Sequence, residues 1–203
     1  VEMTGGIITG NYTRDSVDGL GGGILASGGS VTVSGGYITN NRVAKFCGNK
    51  GDGCHGGAGL AANNGAHVTI SGGQITGNYS QEAGGGVYVT DLGRNGSRMA
   101  WLNITGGIIA SNVSYQSEGA GIRVGQMVDA MINGPKESNG TKGSKVYITN
   151  NHCMSRFDWG GVASLFRAIE NRVKRRQAVC IQLVYKQQYR WRLWWRRCGL
   201  PIG

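Results

Sequence analysis

The chain has 203 residues, 38 of them glycine and only two proline, and a formal net charge of +10. That charge is unevenly placed: residues 1–151 hold ten Lys or Arg against nine Asp or Glu, whereas residues 152–203 hold eleven against two, Asp158 and Glu170. The basic balance is therefore no nucleic-acid footprint for the first three-quarters of the chain, and the lack of any run of about 18 apolar residues excludes a membrane-spanning helix.

From the first residues onward a phrase recurs, Gly-Gly-x-Ile-x-x-Asn. It occupies residues 5–11, 35–41, 72–78 and 106–112, so its first glycines lie 30, 37 and 34 residues apart. An internal period of this size marks a solenoid or array. Two further phrases share the period. One is glycine-rich and ends in an aliphatic residue: Gly21-Gly22-Gly23-Ile24, Gly57-Ala58-Gly59-Leu60, Gly84-Gly85-Gly86-Val87 and Gly119-Ala120-Gly121-Ile122. The other alternates apolar and polar residues: Val31-Thr32-Val33, Val68-Thr69-Ile70 and Leu102-Asn103-Ile104, with Val146-Tyr147-Ile148 read as its echo. Such alternation is the period-two signal of a strand, and no helical period is sustained before residue 150.

Three short strands per repeat with no helical crossover predict an all-β chain, a right-handed parallel β-helix (solenoid) of about four to five rungs. It spans residues 1–151, and a non-repetitive basic tail, residues 152–203, follows. In such a tube Ile8, Ile38, Ile75 and Ile109 form one interior column. Ile24, Leu60, Val87 and Ile122 form a second, and Val33, Ile70 and Ile104 a third. The glycines take the corners, where positive φ or close backbone approach excludes a Cβ. Asn11, Asn41, Asn78 and Asn112 fall in phase and predict an amide ladder, each side chain bonding to the next. Variable loops follow each asparagine (residues 12–20, 42–56, 79–83 and 113–118), and insertions are expected at 90–101 and 125–145.

These residues resemble the polymorphic outer-membrane protein repeats and related adhesin-like β-helix repeats, which carry Gly-Gly-x-Ile and aromatic-x-x-Asn tetrapeptides. Here the two look fused, with isoleucine at the aromatic position, over about residues 1–151. The resemblance implies a secreted or surface-displayed passenger segment, extracellular or at the cell surface, with a structural or adhesive role.

The chemistry-bearing residues are sparse. Glu2, Asp15, Asp18, Asp52, Glu82, Asp91, Glu118, Asp129 and Glu137 fall mostly in loops at different repeat phases, unlike the clustered carboxylates of a polysaccharide lyase or glycosidase. The expectation is a non-catalytic chain without a cofactor. Gly21-Gly22-Gly23 and Gly84-Gly85-Gly86 lack the Lys-Ser/Thr and helix of a phosphate loop. Cys47, Cys54 and His55 have the donor types of a metal site, but the set falls short of four ligands, and a local disulfide between the cysteines competes with it. Tyr12, Tyr79, Trp101 and Tyr115 are the candidate contacts for a host or cell-surface protein or carbohydrate, set against a plain corner-shielding role. Thr9, Thr39 and Thr76 share a column, but Ala110 interrupts it and no regular ice-matching array persists. A carbohydrate-binding part of a larger β-helix enzyme is the second functional expectation.

The tail has two readings. Four of the five tryptophans lie in it (Trp159, Trp191, Trp194, Trp195), and Arg190, Arg192, Arg196 and Arg197 alternate with aromatic residues. As a protein segment it offers phosphates to arginine and stacking to tryptophan, hence contact with nucleic acid or an anionic membrane. As codons, a one-base forward shift turns each Trp-Arg or Trp-Trp step into a glycine codon, because tryptophan is TGG, and repeat-like glycine runs return. The second reading places a frame slip between Leu165 and Gln177. Sequencing the gene across that junction in independent copies decides: a one-base correction that restores Gly-Gly-x-Ile-x-x-Asn is the expected result, and a continuous frame in every copy discards the slip.

Overall fold

The computed structural model describes residues 1–14, 19–44, 56–90, 99–125, 127–132, 146–154 and 160–164, with the backbone of Val179–Ile181. Within them the chain winds through five coils of four strands each and opens a sixth. The first coil is β1 (Glu2–Met3), β2 (Ile7–Thr9), β3 (Tyr12–Thr13) and β4 (Ile24–Ser27). The second is β5 (Ser30–Val33), β6 (Tyr37–Thr39), β7 (Arg42–Val43) and β8 (Leu60–Asn63). The third is β9 (His67–Ile70), β10 (Gln74–Thr76), β11 (Tyr79–Ser80) and β12 (Val87–Val89). The fourth is β13 (Ala100–Ile104), β14 (Gly107–Ala110), β15 (Val113–Ser114) and β16 (Ile122–Val124). The fifth is β17 (Val128–Ile132), β18 (Val146–Thr149), β19 (His152–Cys153) and β20 (Val162–Ser164), and β21 (Val179–Ile181) follows.

Equivalent strands of successive coils pair in parallel and build four sheets. The first sheet runs β1-β5-β9-β13-β17-β21, the second β2-β6-β10-β14-β18, the third β3-β7-β11-β15-β19 and the fourth β4-β8-β12-β16-β20. This is a parallel β-helix, and its sheets run past residue 151 into β19, β20 and β21.

Period-two alternation sorts the side chains. In β5 and β9 the pattern is exposed, buried, intermediate, buried, so Val31 and Val33 stack on Val68 and Ile70. Leu102 and Ile104, then Ala130 and Ile132, continue the two columns. Ile38, Ile75 and Ile109 form the column of the second sheet, and Leu60, Val87 and Ile122 that of the fourth, each 1% exposed or less. The three predicted columns are therefore present. Each such side chain contributes roughly 1.5–3 kcal/mol by leaving water, and their neighbours above and below are again aliphatic, so the columns run unbroken through the described coils.

The asparagine ladder is also present, and it turns one corner of every coil between the second and third sheets. Asn78 shows its chemistry. Its Oδ1 accepts from the Asn41 backbone N–H at 3.0 Å and from Asn41 Nδ2 at 3.1 Å. Its Nδ2 donates to Asn112 Oδ1 at 3.0 Å and to the Ile38 carbonyl at 2.9 Å. All four hydrogen-bonding sites of the amide are filled, although Asn41, Asn78 and Asn112 are wholly buried. The residue before each ladder asparagine is left-handed: Gly10, Asn40, Gly77, Ser111 and Asn150 have φ between 54° and 70°.

The ladder dictates a glycine column opposite it. A Cβ on Gly59 would lie 2.6 Å from the Gly86 carbonyl and 3.0 Å from Asn78 Nδ2, and one on Gly86 would lie 2.5 Å from the Gly121 carbonyl and 2.9 Å from Asn112 Nδ2. The glycine-rich phrase is thus set by close approach of two coils and an amide, where any side chain would displace backbone.

Three expectations are corrected. Each coil has four strands where the sequence suggested three, because the strand after the ladder is two residues long and too short to alternate. Val146-Tyr147-Ile148 belongs to the second sheet, paired with β14, and is no echo of the alternating phrase, whose fourth copy is β17. The insertions are shorter than 90–101 and 125–145, since Ala100, Trp101 and 128–132 are regular first-sheet strand.

Candidate functional site

The residue that follows each ladder asparagine begins a third-sheet strand and faces outward. Tyr12, Arg42, Tyr79, Val113 and His152 are therefore stacked in one register column. The Arg42 guanidinium lies between two rings, 5.8 Å from the centre of Tyr12 and 4.9 Å from that of Tyr79. Both distances are within the reach of a cation–π contact, which strengthens as the pair is desolvated. The Tyr79 hydroxyl donates to Gln81 Oε1 at 3.1 Å, which fixes the ring against the next turn.

Tyr115 follows β15 one coil further on and is 43% exposed, against 53% for Tyr12. Burial raises the Tyr79 phenol above the usual tyrosine range; the Arg42 charge pulls it down and the Tyr115 phenol pushes it up. Tyr12, Arg42, Tyr79 and Tyr115 thus lie along one strip of the third sheet, with Arg42 placed between the Tyr12 and Tyr79 rings.

Trp101 stands elsewhere. It lies in β13 of the first sheet and stacks on His67, ring centres 4.3 Å apart, leaving 41% of its surface exposed. The four aromatic candidates therefore divide three to one between two sheets. The sequence pattern puts Arg42 in a variable loop, whereas the structure places it in β7; its phase, directly after Asn41, is the signal for its place in the column.

Cys47, Cys54 and His55 lie outside the described residues, as does most of the basic tail. Among the described residues no three His, Cys, Asp or Glu side chains come within reach of one metal ion. Glu118 is held in an ion pair with Arg123, a buried guanidinium on the outer side of the fourth sheet. That side is covered where Leu20, Ala61 and Tyr88 pack together, so it offers less open surface than the second and third sheets.

Comparison with protein-family models, with curated proteins and with solved structures finds no match.

The Tyr79 phenol should titrate above an ordinary tyrosine, whose value is about 10. A raised folded value means that the associated stability is intact below that figure and is lost as pH climbs through the folded value. Replacing Arg42→Met keeps the covering chain and removes the charge, so the Tyr79 titration should move higher still. Ultraviolet titration of the phenolate, assigned by difference against Tyr79→Phe, reads this directly. An unchanged or lowered titration in the Arg42→Met protein would show that the stack is not formed.

Proposed function

We propose that this chain is a non-catalytic binding segment of a secreted or surface-displayed repeat protein, adhesin-like in role. The carrying observation is the division of labour between its two faces. Interior positions repeat coil after coil, Ile38, Ile75, Ile109 and the ladder asparagines among them, and each satisfies its neighbours completely. Outward positions of the adjoining third-sheet strands change at every coil: Tyr12, Arg42, Tyr79, Val113 and His152. A fold that settles its interior first leaves the exposed outward residues of the third sheet as a rack for display, and residues on a fixed backbone bind with little backbone ordering cost.

The Tyr12–Arg42–Tyr79 strip, with Tyr115 beside it, is the surface we assign to the partner, a host or cell-surface protein or carbohydrate. Aromatic residues and arginine supply most binding energy in such patches. The resemblance to polymorphic outer-membrane protein repeats supports extracellular display by neighbouring repeats of a longer parent chain.

The test is binding of the purified chain to intact cells and to immobilised glycans, with Tyr79→Ala and Arg42→Met beside the parent. Binding that falls about tenfold or more in both variants (a loss of about 1.4 kcal/mol), with the β-type circular dichroism unchanged, is expected. No binding by the parent, or equal binding by all three, refutes the assignment.

A further inference from the structure

The second sheet carries a surface that neither the fold nor the third-sheet strip explains. Its outward column runs Ile7, Tyr37, Gln74, Ile108 and Tyr147, in register across all five strands. Solvent-facing strand positions are ordinarily polar, yet Ile7 is 67%, Tyr37 47% and Tyr147 51% exposed. A second outward row, with Thr39 and Thr76 joined hydroxyl to hydroxyl at 3.5 Å, runs parallel to it. No residue in either row is a carboxylate, an amine or a guanidinium.

At the corner with the first sheet this column borders a groove of about 340 Å³ lined by Gly36, Tyr37, Gly73, Gln74, Gly107 and Ile108. The glycines are dictated by the fold: Gly36, Gly73 and Gly107 have φ of 84°, 77° and 100°. A Cβ on Gly36 would meet the Gly6 carbonyl at 2.6 Å. They leave a bare floor that crosses three coils. The side chains beside them have no such duty.

We infer that the outward column, with this groove beside its middle three coils, binds an uncharged, linear polysaccharide lying along the solenoid axis, one sugar ring per coil. The size of the face selects the class of ligand. Five strands spaced about 4.8 Å apart and about 10 Å wide present roughly 200 Å². A standard protein interface takes about 800 Å² from each partner, about four times what this sheet offers, so a protein would have to spread onto the neighbouring sheets, while a single extended strand of sugar is covered along one side by this sheet alone. The lack of charge selects within that class, because an acidic polysaccharide gains nothing from this surface. Tyrosine rings stack on the C–H faces of pyranose rings, and the Gln74 amide and threonine hydroxyls match sugar hydroxyls. The coil spacing is close to the length of one pyranose unit in an extended β-linked chain. This site does not rest on the Tyr12–Arg42–Tyr79 strip.

The experiment is calorimetric titration of the full chain with neutral β-1,4-linked glucan, xylan and mannan oligosaccharides of increasing length, and with an oligogalacturonate as the charged control. A neutral series should bind, its affinity rising with length and levelling at about five sugars, one for each coil. Tyr37→Ala and Gln74→Ala should each lower that affinity about tenfold with the circular dichroism retained, and Leu25→Ala, exposed on the fourth sheet, should leave it unchanged. Failure of every neutral series overturns the inference. So does equal binding of the charged oligomer, retained affinity in Tyr37→Ala and Gln74→Ala, or a dimer that buries this face. Loss of sugar binding in Tyr79→Ala alone would move the carbohydrate to the third sheet and leave this groove without a ligand.

Discussion

The hydrogen bonds of the ladder amides are the constraint on which the rest of this molecule depends. A buried amide is tolerated only when its donors and acceptors are all met. Here that is achieved by another asparagine one coil away, at 2.9 to 3.1 Å on each step from Asn11 to Asn151, together with an isoleucine main-chain carbonyl. That requirement sets the coil spacing and locks the register of the second and third sheets. It also holds the preceding residue left-handed, where Asn40, Ser111 and Asn150 accept a conformation that L-residues rarely adopt. Opposite the ladder it clears a column of glycines. The aliphatic columns then fill the interior by apolar burial, which is stronger in sum but blind to register, since an isoleucine slipped by one coil would pack equally well.

The functional reading follows from the same economy. Because ladder and columns settle the interior, outward positions are free to carry recognition chemistry. Their chemistry differs from sheet to sheet. The third presents an arginine between tyrosines, the second an uncharged tyrosine, glutamine and threonine surface beside a glycine floor, and the first the Trp101–His67 pair. The fourth is partly overlaid and holds a buried ion pair. A single solenoid thus offers several chemically distinct strips among the described residues, and the binding role we propose draws on them.

Much of this was legible in the residues because a coil repeats its physics. Asn11, Asn41, Asn78 and Asn112 recur in phase with isoleucine three residues earlier, and only stacking explains an in-phase buried amide. The fourth strand was not legible, since two residues such as Tyr79–Ser80 cannot show a period. The fifth coil was misplaced because Lys145-Val146 stands where the others have Gly-Gly, although Ile148 and Asn151 preserve the ladder spacing. Tyr12, Tyr79 and Tyr115 were found as aromatic residues near the ladder, but Arg42 was missed because contact between coils is invisible without the register. Trp101 was grouped with them by type, and its coil phase separates it.

The most direct measurement is the unfolding free energy of Asn78→Asp beside Asn11→Asp. The change is isosteric, but it turns the donating nitrogen of residue 78 into an oxygen facing the Ile38 carbonyl and Asn112 Oδ1. Asn11 is exposed at one end of the ladder. A loss of about 3–5 kcal/mol, as for an uncompensated buried charge, is expected at position 78, with a far smaller loss at position 11. Equal and small losses at both positions would contradict the ladder as the element that holds the coils in register.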